Sequence, residues 1–378
     1  MWKIPVSSVD VAGLEEEYVV DAIRSTWVSS TGKYVDRFEQ EFSEICNTKM
    51  TVACANGTTA MHLALLGLKL EPGDEVIVPS MTFIASANAI RYCGAEPVFV
   101  DVDPNTWCLD PRAVEAAVTP RTKGIMAVHL MGHPADMDAL NRLAAIYGLW
   151  VLEDAAEAHF AKYKGRMVGS LGTMGTFSFY GNKIITSGEG GAITLNDPRM
   201  ESHLKTLRGH GMDPRRRYFF PVTGYNYRLT NVSCAMLCAQ LRRRDEIVAQ
   251  RRKVFAHYQE SLRTIPGIRM QPVAPWAEPA PWMFSCLVDP NSYGLSRDEL
   301  MQGLAAEGID SRPFFHPLHQ LPPYRECAAR QKHDLTYTEQ LGMNGIMLPT
   351  YNTLSVREIE SIAATIVRLR ARQMRFVA

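Results

Sequence analysis

Between residues 51 and 195 short apolar runs alternate with stretches of helical period. The runs fall at residues 51–54, 75–79, 97–101, 125–129, 149–154, 176–179 and 192–195, and helical patterns lie between them at 59–68, 83–93 and 136–147. A short, continuously apolar run bounded by turn residues suits a strand buried on both faces. Alternation with helices implies a mostly parallel sheet with helices on either side. We therefore expect an α/β fold built on seven strands. Ahead of it, Leu14, Tyr18, Ala22 and Trp27 mark a helix over 14–27, and the polar turn Ser29-Ser30-Thr31-Gly32 precedes a second helix over 34–45. Beyond Arg242 the texture changes. A charged helix (246–262), a proline-rich stretch (272–281), a strand (283–288), a helix (297–307), the run 309–315, a strand (346–349) and a last helix (356–370) predict a smaller α+β domain. The division is placed near Leu241, giving domains 1–241 and 242–378.

Chemistry enters with the segment FSFYGNKIITSGEGGA, residues 177–192, where Lys183 sits among small and apolar neighbours. Surface lysines usually keep charged company; this one lies in a glycine-flanked turn between two strand-like runs. Desolvation there favours the neutral amine, the form that attacks a carbonyl to make a Schiff base. A lysine in an ordinary surface hairpin fits the segment equally well. Asp154 tips the balance, because the apolar strand LWVLED delivers it at its carboxyl end, where ligands bind in open α/β sheets. A carboxylate and a reactive lysine together suit pyridoxal 5′-phosphate, whose ring nitrogen the carboxylate keeps protonated. Asn56-Gly57-Thr58-Thr59 ends one strand and opens an apolar helix, so free N–H groups and the helix dipole favour a phosphate there.

The motifs NGTTAMHLAL, LEDAAEA, FSFYGNKIITSGEGG, GYNYRLTN and FHPLHQLPPY occur in that order between Ser29 and Tyr351. Together they resemble the DegT-type nucleotide-sugar aminotransferases, of fold type I, and within them a branch that aminates C4 of GDP-4-keto-6-deoxymannose for O-antigen and other surface polysaccharides. The resemblance implies that Lys183 carries the cofactor and moves the proton, and that Asp154 pairs with the pyridinium. It also implies that Glu157 touches the ring hydroxyl and Phe83 stacks on the ring, while Ser178 and the Gly57–Thr58 backbone hold the phosphate. Asn226 of GYNYRLTN would reach the phosphate in the other subunit, which implies a homodimer with shared sites. Ser30, Arg228, His316 and His319 would line the nucleotide-sugar site, and L-glutamate would be the amino donor. Other readings within the resemblance are a UDP- or dTDP-keto-sugar aminated at C4 or C3, a sugar 3-dehydratase, and a non-catalytic protein of the same fold. Histidine replaces the lysine in the dehydratases, so Lys183 weighs against that one. His159-Phe160 departs from the branch, which tends to have a small apolar residue and glycine after EDAAEA. The pair is expected near the cofactor, with a bearing on which sugar fits.

Composition adds exclusions. Lys+Arg and Asp+Glu are both 40, so no global charge points to nucleic acid or an acidic membrane. Arg215-Arg216-Arg217 is a local basic run, either a solvated loop or a contact to a nucleotide or partner subunit. The eight cysteines show no metal-ligand spacing, and no metal is expected. Without a signal-like start or a membrane-length apolar run, a reduced, cytoplasmic enzyme is expected.

Overall fold

The computed structural model describes residues 2–377, with side chains through residue 371. Seven strands make the main sheet: β1 (Met50–Cys54), β2 (Glu75–Pro79), β3 (Glu96–Val100), β4 (Thr122–Val128), β5 (Trp150–Asp154), β8 (Met174–Ser178) and β9 (Gly191–Leu195), in the spatial order β1-β9-β8-β5-β4-β2-β3. The pairs β3–β2–β4–β5–β8 are parallel, while β9 runs antiparallel to both β8 and β1. The expected mostly parallel α/β sheet is present.

Two-sided cover explains the continuous apolar strands. All five residues of β2 are buried, and helix Gly57–Gly67 is buried nearly all round, because it lies between the sheet and helices Ala85–Tyr92 and Pro198–Arg208. On the opposite face, helix Lys33–Cys46 turns Phe38 and Phe42, four residues apart, onto Phe179 and Phe177 with ring centroids 5.4 and 4.9 Å apart. Truncating either ring to alanine would cost about 3–5 kcal/mol. That helix ends at Asn47, whose left-handed φ of 55° stops it before β1.

Three short strands, β6 (Lys162–Tyr163), β7 (Arg166–Met167) and β11 (Ala277–Glu278), form a side sheet that joins the loop after β5 to the proline-rich stretch. The C-terminal part is built on a four-stranded antiparallel sheet of β10 (Ile268–Met270), β12 (Phe284–Val288), β14 (Gly345–Leu348) and β13 (Arg312–Pro313), in that order. Helices Arg244–Leu262, Arg297–Ala306 and Val356–Val377 accompany it, and a second core gathers Val254, Tyr258, Phe284, Leu300, Ile362 and Ile366. Ile4, from the chain's first residues, joins this second core rather than the first.

Helices Pro111–Ala117 and Pro198–Arg208 were not foreseen. Each starts on an Asp-Pro pair whose aspartate caps the helix, a start signal that reads as a turn when few apolar residues follow. Helices Arg325–Gln331 and Thr336–Asn344 are also additional, both short and weakly patterned.

The carboxyl ends of β2, β4, β5 and β8 open on one crevice. Register puts Asp154 beside Val128 on one side and Thr176 on the other.

Candidate active site

Asp154 is buried at the tip of β5, and the Ser86 hydroxyl donates to its Oδ2 at 2.7 Å while the Ala156 N–H donates to Oδ1 at 3.2 Å. Because the Ser86 proton goes to the carboxylate, the 3.0 Å contact between Thr82 Oγ1 and Ser86 Oγ must be donated by Thr82. A relay of two hydroxyls thus aims the carboxylate. The sequence gives no hint of it, since Ser86 meets Asp154 only through the fold.

Three residues on, Glu157 Oε2 accepts the Met131 N–H at 2.8 Å. Met131 follows β4 with a left-handed φ of 53°, which turns its N–H toward the crevice. Burial raises the Glu157 carboxyl to about 7 and the Asp154 charge adds to this, against the opposing pull of Lys183 and the Met131 N–H.

Lys183 sits in the turn after β8, closed by its own N–H donating to the Tyr180 carbonyl at 2.9 Å. The residue as a whole is half-buried, but its amine is turned inward. Burial pushes that amine below its usual range, while Glu157 and Asp154 favour the cation through space without a hydrogen bond to it. Lys183, Glu157 and Asp154 therefore form one electrostatic unit.

The turn Asn56–Thr59 lies against the end of β8. Asn56 caps helix Gly57–Gly67 by accepting the Thr59 N–H at 2.9 Å, which leaves the N–H groups of Gly57 and Thr58 free at the helix start. A Cβ on Gly57 would stand 2.7 Å from the Ser178 Cβ, so glycine is what lets this turn close onto the strand. Phosphorylated pyridine chemistry fits this donor set: free N–H groups at a helix start, a hydroxyl on Ser178, an aimed carboxylate and a desolvated amine.

Phe83 is 56% exposed, precedes helix Ala85–Tyr92 rather than lying in it, and meets Phe315 edge-on at 5.7 Å. With Asn182, Trp282, Arg312 and His316 it lines a mostly apolar cavity of about 380 Å³. His319 is turned elsewhere. Its Nδ1 lies 2.8 Å from Ser80 Oγ and its Nε2 lies 3.1 Å from Glu339, so both ring nitrogens are engaged in tying its loop to β2 and to helix Thr336–Asn344. It lines a separate polar groove with Arg325, His333 and Asp334.

Ser30 and Asn226 hydrogen-bond to none of Asp154, Glu157 and Lys183. The segment Trp27–Tyr34 is clamped by Asn231, whose N–H donates to Ser29 O, whose Nδ2 donates to Trp27 O, and whose Oδ1 accepts the Tyr34 N–H. Gly32, at φ 143°, leaves the room that this asparagine fills. Asn226 is exposed, and its amide oxygen accepts from Arg228 at 3.2 Å. The next residue accepts the Ala55 N–H at 2.8 Å, so the segment runs beside the Asn56–Thr59 turn of its own chain.

His159 lies within electrostatic reach of Lys183 but on the other side of β8. Its ring packs on Phe179 and Phe177 at 5.2 and 6.0 Å, and Nε2 donates to the Ser178 carbonyl at 2.9 Å. Alternation along β8 turns Phe177 and Phe179 away from the face that meets Gly57, so His159 lies behind the strand and not in the crevice. Burial, helped by Lys183, pushes the imidazole down to about 3, so it stays neutral.

What this crevice accommodates is a phosphorylated ring that reacts through a lysine, and the class of protein so built is the pyridoxal phosphate-dependent aminotransferase. Comparison with known proteins narrows it. The chain belongs to the DegT/DnrJ/EryC1/StrS aminotransferase family, whose profile matches residues 10–367. It is 46% identical over 365 residues to the GDP-perosamine synthase of Caulobacter vibrioides, covering 96% of this chain and 97% of that protein. The GDP-perosamine synthase of Escherichia coli O157:H7 is 41% identical over 363 residues, with 96% and 97% covered. Among solved structures, DesI in the presence of its TDP-sugar product superposes with a TM-score of 0.90 at 32% identity, covering 100% of this chain and 96% of that one.

Proposed function

We propose that this aminotransferase converts GDP-4-keto-6-deoxymannose to GDP-perosamine with L-glutamate as amino donor, supplying an amino sugar for O-antigen or other surface polysaccharide. The observation that carries the reading is the 46% identity to a GDP-perosamine synthase over almost the full length of both chains. When bound, pyridoxal 5′-phosphate supplies the carbonyl that accepts the amino group and the ring that draws off electrons.

The residues around it divide the remaining work. Lys183 holds the cofactor at rest. During turnover its Nζ takes the proton released from the donor's α-carbon in one half-reaction and delivers a proton to the sugar's C4 in the other. A depressed amine suits that exchange, since burial makes it give up its proton more readily than an ordinary lysine does. Asp154, aimed by Ser86, keeps the ring nitrogen protonated, and Glu157 faces the ring hydroxyl. Gly57, Thr58 and Ser178 bind the phosphate, and Phe83 covers the ring. Arg228 and the Arg215–Arg217 run are the positive groups for the nucleotide diphosphate, with Ser30 and His316 beside the sugar.

In this reading the enzyme is a homodimer whose Asn226 serves the partner's phosphate site. Support comes from apolar side chains that one chain leaves exposed, including Trp27 (58%), Tyr218 (74%) and Phe220 (51%).

The test is to incubate the enzyme with L-glutamate and, separately, the GDP-, UDP- and dTDP-linked 4-keto-6-deoxysugars. Mass spectrometry then follows the aminated sugar and the 2-oxoglutarate released. The GDP sugar should be converted fastest by at least an order of magnitude. Faster conversion of the UDP or dTDP sugar would leave the family in place and overturn the perosamine reading.

A further inference from the structure

We propose that Trp282 is a positioning residue for Lys183, its ring face aiming the amine and its indole N–H fixing the backbone that carries it. The proposal rests on the reading of Lys183 as the cofactor lysine. Trp282 follows the proline-rich stretch directly and lies just before β12, well outside the strands that build the crevice, and is only 3% exposed. The Lys183 Nζ lies over its ring, 4.3 Å from the centroid. The indole Nε1–H donates to the Asn182 carbonyl at 2.9 Å, at the residue immediately before the lysine. With the Lys183 N–H already bonded to Tyr180, the turn is held from both ends.

The platform is itself fixed. Arg251, buried in helix Arg244–Leu262, donates from Nη1 to the Trp282 carbonyl at 2.9 Å and from Nε to Asn352 at 2.8 Å. The charged and titratable groups that act on the amine are Asp154 and Glu157 from the β5 side and His159 from behind β8. None of them hydrogen-bonds to it.

A ring face differs from a carboxylate in one respect that matters here. A carboxylate at hydrogen-bond distance would hold the ammonium and resist its deprotonation. A π face attracts the ammonium more weakly than a carboxylate at hydrogen-bond distance would and takes no proton itself, so it places the amine while leaving both protonation states within reach. That suits an amine that must alternate between them. Trp282 therefore ties the C-terminal part of the chain to the reactive turn.

The experiment places mono-, di- and tetrafluorotryptophan at position 282 of the full chain. These side chains keep the shape of the indole and drain its π face stepwise. The readout is the pH dependence of reductive methylation of Lys183 in the cofactor-free protein, measured by mass spectrometry on the peptide that contains it. A desolvated cation–π contact of this kind corresponds to a fall of roughly one pH unit in the amine's titration midpoint across the series. Trp282→Phe, which keeps a ring and loses the N–H, should lower kcat with KM nearly unchanged, as expected for a displaced proton carrier. A midpoint that stays constant across the fluorinated series overturns the platform role. Wild-type kcat in Trp282→Phe overturns the anchoring role. Borohydride reduction of the holoenzyme separates these failures from that of the underlying reading, since a pyridoxyl label on any lysine other than Lys183 sinks the cofactor assignment instead.

Discussion

Replacing Glu157 by glutamine removes one titrating group and leaves its contacts in place, because the amide oxygen can still accept the 2.8 Å bond from the Met131 N–H. What changes is the dependence of stability on pH. Burial raises the carboxyl from 4.5 to about 7 in the folded chain, so the folded protein binds this proton more tightly than the unfolded chain does. The stabilisation from holding it is fully present below pH 4.5 and is lost as the pH rises to about 7. At 1.36 kcal/mol per pH unit that interval is worth about 3 kcal/mol. Lys183 acts in another window: its amine is depressed from 10.5, so the folded chain gains relative stability as the pH climbs toward that value. The assay is the thermal midpoint of the cofactor-free wild type and of Glu157→Gln at pH 5, 6, 7 and 8. With about 2 °C per kcal/mol for a chain of this size, the wild type should lose about 5 °C relative to the variant between pH 5 and 7. Above pH 7 the two curves should run parallel. Parallel curves over the whole range would mean that Glu157 ionises as an ordinary surface carboxylate does, and the electrostatic unit with Lys183 would have to be abandoned.

Ser86→Ala takes away the 2.7 Å bond to Asp154, a charge-assisted bond worth about 1.5–3 kcal/mol, so affinity for pyridoxal 5′-phosphate should fall roughly 10- to 100-fold; equilibrium dialysis showing unchanged affinity would remove Ser86 from the site. For the shared site, inactive Lys183→Ala and Asn226→Asp chains mixed under subunit exchange should regain part of the activity, because one site in each hybrid dimer has both residues intact. Continued inactivity after light-scattering or tag-exchange proof of mixing would confine Asn226 to its own chain.

The strands were legible because a strand buried on both faces is apolar along its length: β2 is EVIVP, where only the first residue, Glu75, is charged and the four that follow are apolar and buried. Orientation was less legible. The antiparallel turn at β9 depends on the short glycine-rich return after Lys183, and the apolar run itself is the same in either direction. Asp154 and Lys183 could be picked out because a strand end and a glycine-flanked turn are local features. Ser86, Trp282 and Asn231 could not. Each is an ordinary residue in its own segment and acquires a role through a partner 68, 100 or 197 positions away.

His159 shows how a residue that departs from the branch can mislead when only its neighbours in sequence are known. Five residues after Asp154, a bulky imidazole suggests a narrowed pocket. The side of β8 on which it sits decides the matter. With Nε2 donating to the Ser178 carbonyl and the ring packed on Phe177 and Phe179, His159 supports the strand that carries Ser178 from the face opposite Gly57. Its Nδ1 is buried without a partner, and a pKa pushed to about 3 keeps a second charge from appearing near Lys183. The cavity beside the reactive turn is instead lined by Phe83, Asn182, Arg312, Phe315 and His316. Discrimination among sugar rings should therefore answer to changes at those positions. A change at His159 should act on the folding and cofactor affinity of the whole site, whichever sugar is offered.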